Sequence, residues 1–139
     1  MLETIQVSTI LPANAERIYR AWLDGHEHAA FTGSEASVDA RIGGKFSAWD
    51  GYIQGTTLRA EPNRRIVQSW RTSDFPADSS DSRLEVLLEE LEPENPNKAS
   101  TRITLLHTDI PEGQGPDYQK GWEDFYFEPM QAYFSGQEG

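Results

Sequence analysis

Between Glu3 and Ile10 polar and apolar residues alternate, with Ile5 and Val7 two apart, the period of a strand that turns one face to a core. Pro12 then opens a segment in which Ala15, Ile18, Tyr19 and Trp22 recur at helical spacing, which predicts an amphipathic helix ending at Asp24-Gly25. A second short helical piece is predicted over His26 to Phe31. From Ser34 the period returns to two. Strands are predicted over Ala36 to Ala40 and Lys45 to Trp49, about a turn at Gly43-Gly44. Beyond a tight hairpin at Asp50-Gly51 come Tyr52 to Ala60 and Arg65 to Arg71, joined through Pro62-Asn63, with Ile66 and Trp70 on one face. The polar stretch Thr72 to Ser82 reads as a loop. Leu84, Val86 and Leu88 share a face, as do Ile103 and Leu105, so two long strands flank a turn at Pro93-Glu94-Asn95-Pro96-Asn97.

After Pro111 the run Gly113-Gln114-Gly115-Pro116 breaks structure, and Pro116 suits the first turn of a helix, where its missing N–H is not needed. Trp122, Phe125, Tyr126, Met130 and Tyr133 then follow at steps of three and four, a strong amphipathic pattern. Pro129 lies inside it. A proline there removes one backbone hydrogen bond, at about 3 kcal/mol in a regular helix, which predicts a bend near Phe125 to Phe127. Gly121 disfavours the helix by about 1 kcal/mol relative to alanine, which predicts that the helix touches the sheet there.

This order predicts an α+β fold: a curved antiparallel sheet of about six or seven strands, two short helices after the first strand, and a long C-terminal helix that the sheet wraps. A twisted sheet and a single helix enclose a wedge-shaped space, which aromatic side chains either line or fill. With 139 residues, no repeats and no linker, the chain is expected to be a single domain over 1–139.

Composition narrows the chemistry. The absence of cysteine excludes disulfides, thiolate zinc sites, iron–sulfur clusters and cysteine nucleophiles. The 23 acidic against 12 basic side chains leave a formal charge of -11, a field that repels phosphate backbones and anionic headgroups, so neither nucleic acid nor a membrane surface is an expected partner. The N-terminus lacks the basic start and apolar run of a signal peptide, and a cytoplasmic location is expected. Four Trp, five Tyr and six Phe make aromatic area the informative surplus.

Recognisable catalytic patterns do not accumulate. In His26-Glu27-His28 the second histidine is two residues on rather than four, so a surface helix explains it better than a zinc site. Gly43-Gly44-Lys45 is followed by Phe46, not Ser or Thr, and reads as a turn rather than a phosphate loop. Glu89-Glu90 and Glu123-Asp124 are adjacent in sequence, as expected of solvated faces. His107 follows Leu105 at strand period and is a candidate to face the cavity. No catalytic residue, metal ligand or cofactor is assigned.

Gly43-Gly44-Lys45-Phe46-Ser47, Asp50-Gly51, Gly55, Pro62, Ile66-Val67, Trp70-Arg71 and Gly121-Trp122, followed by Tyr126-Phe127 and Phe134, resemble the C-terminal domain of the activator of the ninety-kilodalton heat-shock protein ATPase. The similarity runs from about Ile5 to Phe134, and the order of the pieces is more specific than any one of them. It implies the helix-grip fold of the START-like (SRPBCC) superfamily, whose members often hold hydrophobic molecules between sheet and helix. It also implies a co-chaperone-like, stress-related role.

Three readings remain open at this level. The first is a non-enzymatic binding module that takes a small hydrophobic ligand in its cleft, or engages a chaperone or protein client. The second is a START-like enzyme, of cyclase or hydrolase type, using His107 with a nearby carboxylate on a hydrophobic substrate. The third is a protein whose cleft is simply core. The candidate ligand-contacting residues are Trp22, Phe46, Trp49, Trp70, His107, Trp122, Tyr126 and Met130. A cavity of about 300 Å³ or more would favour a ligand.

Overall fold

The computed structural model of the chain describes residues 1–93 and 97–136. Seven strands, β1 (Glu3–Leu11), β2 (Ser37–Val38), β3 (Lys45–Ala48), β4 (Ile53–Glu61), β5 (Arg65–Thr72), β6 (Ser82–Glu90) and β7 (Thr101–Ile110), form one antiparallel sheet in the order β1-β7-β6-β5-β4-β3-β2. The first and last strands in sequence are therefore neighbours, β2 to β7 pair consecutively, and β1 reaches β2 at the opposite edge through the two early helices. The middle of the predicted turn over Pro93 to Asn97 lies outside the described residues.

Two irregularities curl the sheet. Opposite Gln68 and Val67, β4 spends an extra residue between Thr57 and Arg59, and near the start of β1 the register slips against β7 beside Asp109, whose φ is 62°. Each inserted residue bends its strand and raises the local twist. The concave face carries Ile5, Val7 and Leu11 from β1, Ile66 from β5, Leu84 and Val86 from β6, and Ile103 and Leu105 from β7, all buried.

Helices α1 (Ala15–Trp22) and α2 (Gly25–Thr32) follow β1. The Asn14 side chain accepts from the N–H of Arg17 at 2.8 Å and caps α1, and the Asp24 side chain accepts from Glu27 N–H at 3.1 Å and caps α2. Asp24-Gly25 thus ends one helix by starting the next. Ala15, Ile18, Ala21 and Trp22 form the buried stripe of α1.

The C-terminal helix runs as α3 (Gly115–Trp122), a π-helical turn over Glu123–Phe127, and α4 (Glu128–Ser135). The π-turn falls where Pro129 predicts an irregularity, and Glu128 N–H reaches back five residues to the carbonyl of Glu123. Its effect on the apolar stripe is specific. Tyr118, Trp122, Tyr126, Met130 and Phe134 lie at strict steps of four, which in a regular α-helix drift by about 40° per step around the axis. A wider turn in mid-helix takes up that drift, so Trp122, Tyr126, Met130 and Phe134 all stay buried.

Strand ends differ from expectation in two places. β2 is two residues long rather than spanning Ala36 to Ala40, because the Asp39 carboxylate accepts from the backbone N–H and guanidinium of Arg41 and turns the chain out of the ladder. The hairpin at Asp50-Gly51 begins one residue earlier, since Ala48 pairs with Ile53 and Trp49 and Asp50 both adopt left-handed φ, 54° and 57°. Seven strands, two early helices and the long helix across the concave face make this a helix-grip fold.

Candidate functional site

The β3–β4 hairpin tip, the first residue of β4, the inward face of β5 and one face of the C-terminal helix converge on a cavity of about 310 Å³. Its walls are Trp49, Tyr52, Ile53, Trp70, Tyr118, Gly121, Trp122, Phe125 and Tyr126. The helical contributors recur at steps of four, 118-122-126 and 121-125, which places them over one another on the face turned to the hairpin. Trp49 meets Phe125 edge to face across the mouth, at 5.7 Å and 70°. Trp70 stands at 80° to Tyr118 and Trp122 at 61° to Tyr126, so the rings box the space instead of stacking through it.

Behind these walls the polar groups are satisfied. The indole N–H of Trp122 donates to Nδ1 of His107 at 3.2 Å, so Nδ1 must carry the lone pair and Nε2 the proton. His107 Nε2–H therefore donates to Ser82 Oγ at 2.8 Å, and Ser82 in turn donates to the carbonyl of Trp70 at 2.6 Å. Burial pushes the His107 pKa down to about 3 and keeps the ring neutral. A second relay lies deeper. His28 Nδ1 faces the carbonyl of Trp22 at 3.0 Å and must donate, leaving Nε2 to accept from the phenol of Tyr126 at 2.8 Å. Burial lowers His28 to about 4 and raises the Tyr126 phenol, so this pair too is neutral.

Toward solvent the slot opens into an adjoining space of about 390 Å³ that shares Tyr52, Tyr118, Gly121 and Phe125 and adds Asp74, Gln114 and Asp117. The Tyr52 hydroxyl donates to Asp74 at 2.6 Å, the Tyr118 hydroxyl to Gln114 at 2.6 Å, and the Gln114 amide to the carbonyl of Asp74 at 3.0 Å. Burial pushes the Tyr118 phenol up to about 12. The site is thus an aromatic slot with a polar, acidic mouth.

Four of the eight candidate residues, Trp49, Trp70, Trp122 and Tyr126, come together in the slot. The other four sit elsewhere. Trp22 lies beneath Tyr126, at 5.4 Å between rings, with its N–H on Gln68. Phe46 is buried at the edge of a separate polar depression that includes Lys45 and Gln54. His107 is fully covered by Trp70 and Trp122, and Met130 is buried in the core.

Two expectations are corrected. A Cβ built on Gly121 meets no sheet atom, and its nearest neighbour is Phe125 Cδ2 at 4.0 Å, so the position opens onto the slot instead of touching the sheet. His28 is not on a surface helix face, because Trp22 and Tyr126 bury it to 3% exposure. The signals were present in the chain: Tyr118 precedes Trp122 by one turn, and His28, Phe31 and Thr32 share a helical face.

The arrangement suits binding more than acid–base catalysis. Both nitrogens of His107 are taken by Ser82 and Trp122, and neither partner is a carboxylate. Among the described residues, no group of three or more His, Asp or Glu stands where it could hold a metal ion, and no helix is long and apolar enough to cross a membrane.

Residues 12–135 match the model of a family described as activator of Hsp90 ATPase homolog 1-like protein. An uncharacterized protein of Schizosaccharomyces pombe is 26% identical over 88% of this chain and 34% of its own length. The human activator of 90 kDa heat shock protein ATPase homolog 1 is 25% identical over 86% of this chain and 33% of its own length, so the chain spans about a third of these curated relatives. The crystal structure of an HSP90 activator from Plasmodium falciparum superposes with a TM-score of 0.84 at 21% identity, over 95% of this chain and 96% of that one, a likeness of fold.

Proposed function

The chain belongs to the activator of Hsp90 ATPase homolog 1-like family, and from that premise we propose that it is a binding module whose aromatic slot holds a small apolar ligand and whose protein partner is the 90 kDa heat shock protein. One observation carries the ligand reading: a cavity of about 310 Å³ walled by seven aromatic rings, with Ile53 and Gly121. That volume is at the lower end of ordinary ligand sites, and its walls supply area and shape with little polar demand. The chaperone reading is supported by the family and by the printed name of the human relative. The slot presents no nucleophile and no free base, so the enzymatic alternative has no observation in its favour.

Two measurements test the proposal. Neutral tert-butylbenzene, titrated while tryptophan emission is followed, should give a saturable change in the wild-type chain. It should give none in Gly121→Leu, whose side chain starts from a position that lines the slot and where a Cβ meets nothing nearer than Phe125 Cδ2 at 4.0 Å. No saturable change, or the same change in the variant, overturns the ligand reading. Separately, the chain should co-elute with the cognate 90 kDa heat shock protein and raise its ATPase rate, and absence of both effects overturns the partner.

A further inference from the structure

Two features of the slot have no role in holding an arbitrary apolar group. Its rings stand at steep angles to one another, 70° for Trp49 and Phe125, 80° for Trp70 and Tyr118, 61° for Trp122 and Tyr126, so the aromatic walls turn in several directions around the space. Its mouth carries Asp74 and Asp117, and among the described residues no lysine or arginine lines the slot or the mouth. Indole, phenol and phenyl faces are the negative ends of ring quadrupoles, and they attract a cation most strongly where several enclose it away from water. Elsewhere this chain uses the same contact internally, with Arg17 over Tyr133 and Phe134 at 5.9 and 5.5 Å and Arg71 over Phe75 at 5.5 Å.

We propose that the ligand of the slot is an organic cation, an apolar body bearing a quaternary or substituted ammonium group, boxed by Trp49, Trp70, Trp122 and Phe125 and balanced by Asp74 and Asp117 at the mouth. The inference rests on the reading of the slot as a ligand site and adds the charge of the occupant. An anion would meet ring faces and carboxylates of its own sign. A neutral molecule would gain burial but draw nothing from the charge of the carboxylates. The net charge of -11 adds a long-range field that gathers cations.

Three probes of nearly equal shape decide the matter: phenyltrimethylammonium, its neutral isostere tert-butylbenzene, and benzenesulfonate, each titrated by calorimetry into the wild-type chain, Gly121→Leu and the double variant Asp74→Asn/Asp117→Asn. The cation should bind about tenfold tighter than the isostere, which corresponds to part of the gain from enclosure by rings. Benzenesulfonate should not bind. Gly121→Leu should abolish binding of both other probes, while the double Asn variant should weaken the cation several-fold and leave tert-butylbenzene unchanged. If tert-butylbenzene binds as tightly as the cation, the inference falls and the apolar ligand site stands. If neither binds, both fall. If the cation binds equally well to Gly121→Leu, it is held by the acidic surface outside the slot, and the inference is again overturned.

Discussion

Trp122 donates its indole N–H to Nδ1 of His107 at 3.2 Å, so a wall of the slot also fixes the tautomer of the histidine behind it. The proton then sits on Nε2, which donates a hydrogen bond to Ser82 Oγ, and the Ser82 hydroxyl closes on the backbone carbonyl of Trp70. The Trp122 indole on the helix and the backbone of Trp70 on β5 are thereby joined through a buried imidazole and a hydroxyl, with both nitrogens of the imidazole paired. Cavity wall and core are one structure at this point.

Replacement of Trp122 should therefore be felt as a core change although the ring borders a cavity. Trp122→Ala removes a ring that is 3% exposed and should destabilise the fold by about 3–5 kcal/mol. Trp122→Phe keeps most of the apolar area but strands Nδ1 of His107, and should destabilise by about 1–3 kcal/mol. Urea melts of both variants check the order, and a loss well under 1 kcal/mol for Trp122→Ala would show the indole to be peripheral.

The two buried histidines make stability depend on pH in a defined window. Both have folded-state pKa values below the ordinary 6.5, His28 at about 4 and His107 at about 3, in each case because burial disfavours the cation. Between those values and 6.5 the unfolded chain binds more protons than the folded one, so stability is full above about pH 6.5 and falls as the pH drops toward 4 and 3. Urea midpoints between pH 7 and pH 5 should decline, and His28→Gln or His107→Gln, though less stable at neutral pH, should flatten the decline.

Much of this architecture is legible from residue spacing, because one-faced burial imposes a period of two on β1, β6 and β7 and steps of three and four on the C-terminal helix. Pro129 points to the irregularity at Glu123–Phe127 because a missing N–H is a local fact of the chain. The slot is less legible, for it depends on which of many aromatics meet. Trp22, Trp49, Trp70 and Trp122 look alike as residue types, yet Trp22 is covered by Tyr126 while the other three border the cavity. Helical spacing gives His28 a burial signal through Phe31 and Thr32, but its partner Tyr126 is 98 residues away. Gly121 shows the limit of composition most clearly, since a helical glycine marks a close approach or an opening, and only the neighbours decide which.

Gly55 is a glycine that a close approach requires. A Cβ there would lie 1.9 Å from the carbonyl oxygen of Ser69 and 2.6 Å from the Phe46 ring, whereas at Gly121 nothing stands nearer than 4.0 Å. Gly55→Ala should destabilise by about 1–3 kcal/mol or more through overpacking. Gly121→Ala should be neutral or stabilise by up to about 1 kcal/mol through helix propensity. Thermal melts of the pair check the contrast, and equal effects would remove the opening at Gly121.

Trp49 offers the sharpest separation of stability from binding. Its φ of 54° places a bulky aromatic in the left-handed region, which disfavours an L-residue by about 1–2 kcal/mol and which Asn or Gly occupies more readily. The ring offsets part of that strain through its edge-to-face contact with Phe125, an interaction of about 0.5–1.5 kcal/mol. Trp49→Asn relieves the strain but loses that contact together with the ring's packing against the core, so the gain offsets only part of the loss and the urea midpoint should fall by less than it does for Trp122→Ala. The slot, however, loses the wall that faces Phe125 across its mouth, and tert-butylbenzene affinity should fall several-fold. A variant that is both as stable and as tight-binding as the wild type would show that the strained indole serves neither purpose, whereas loss of binding with only a minor loss of stability identifies why a tryptophan stands where the backbone favours asparagine.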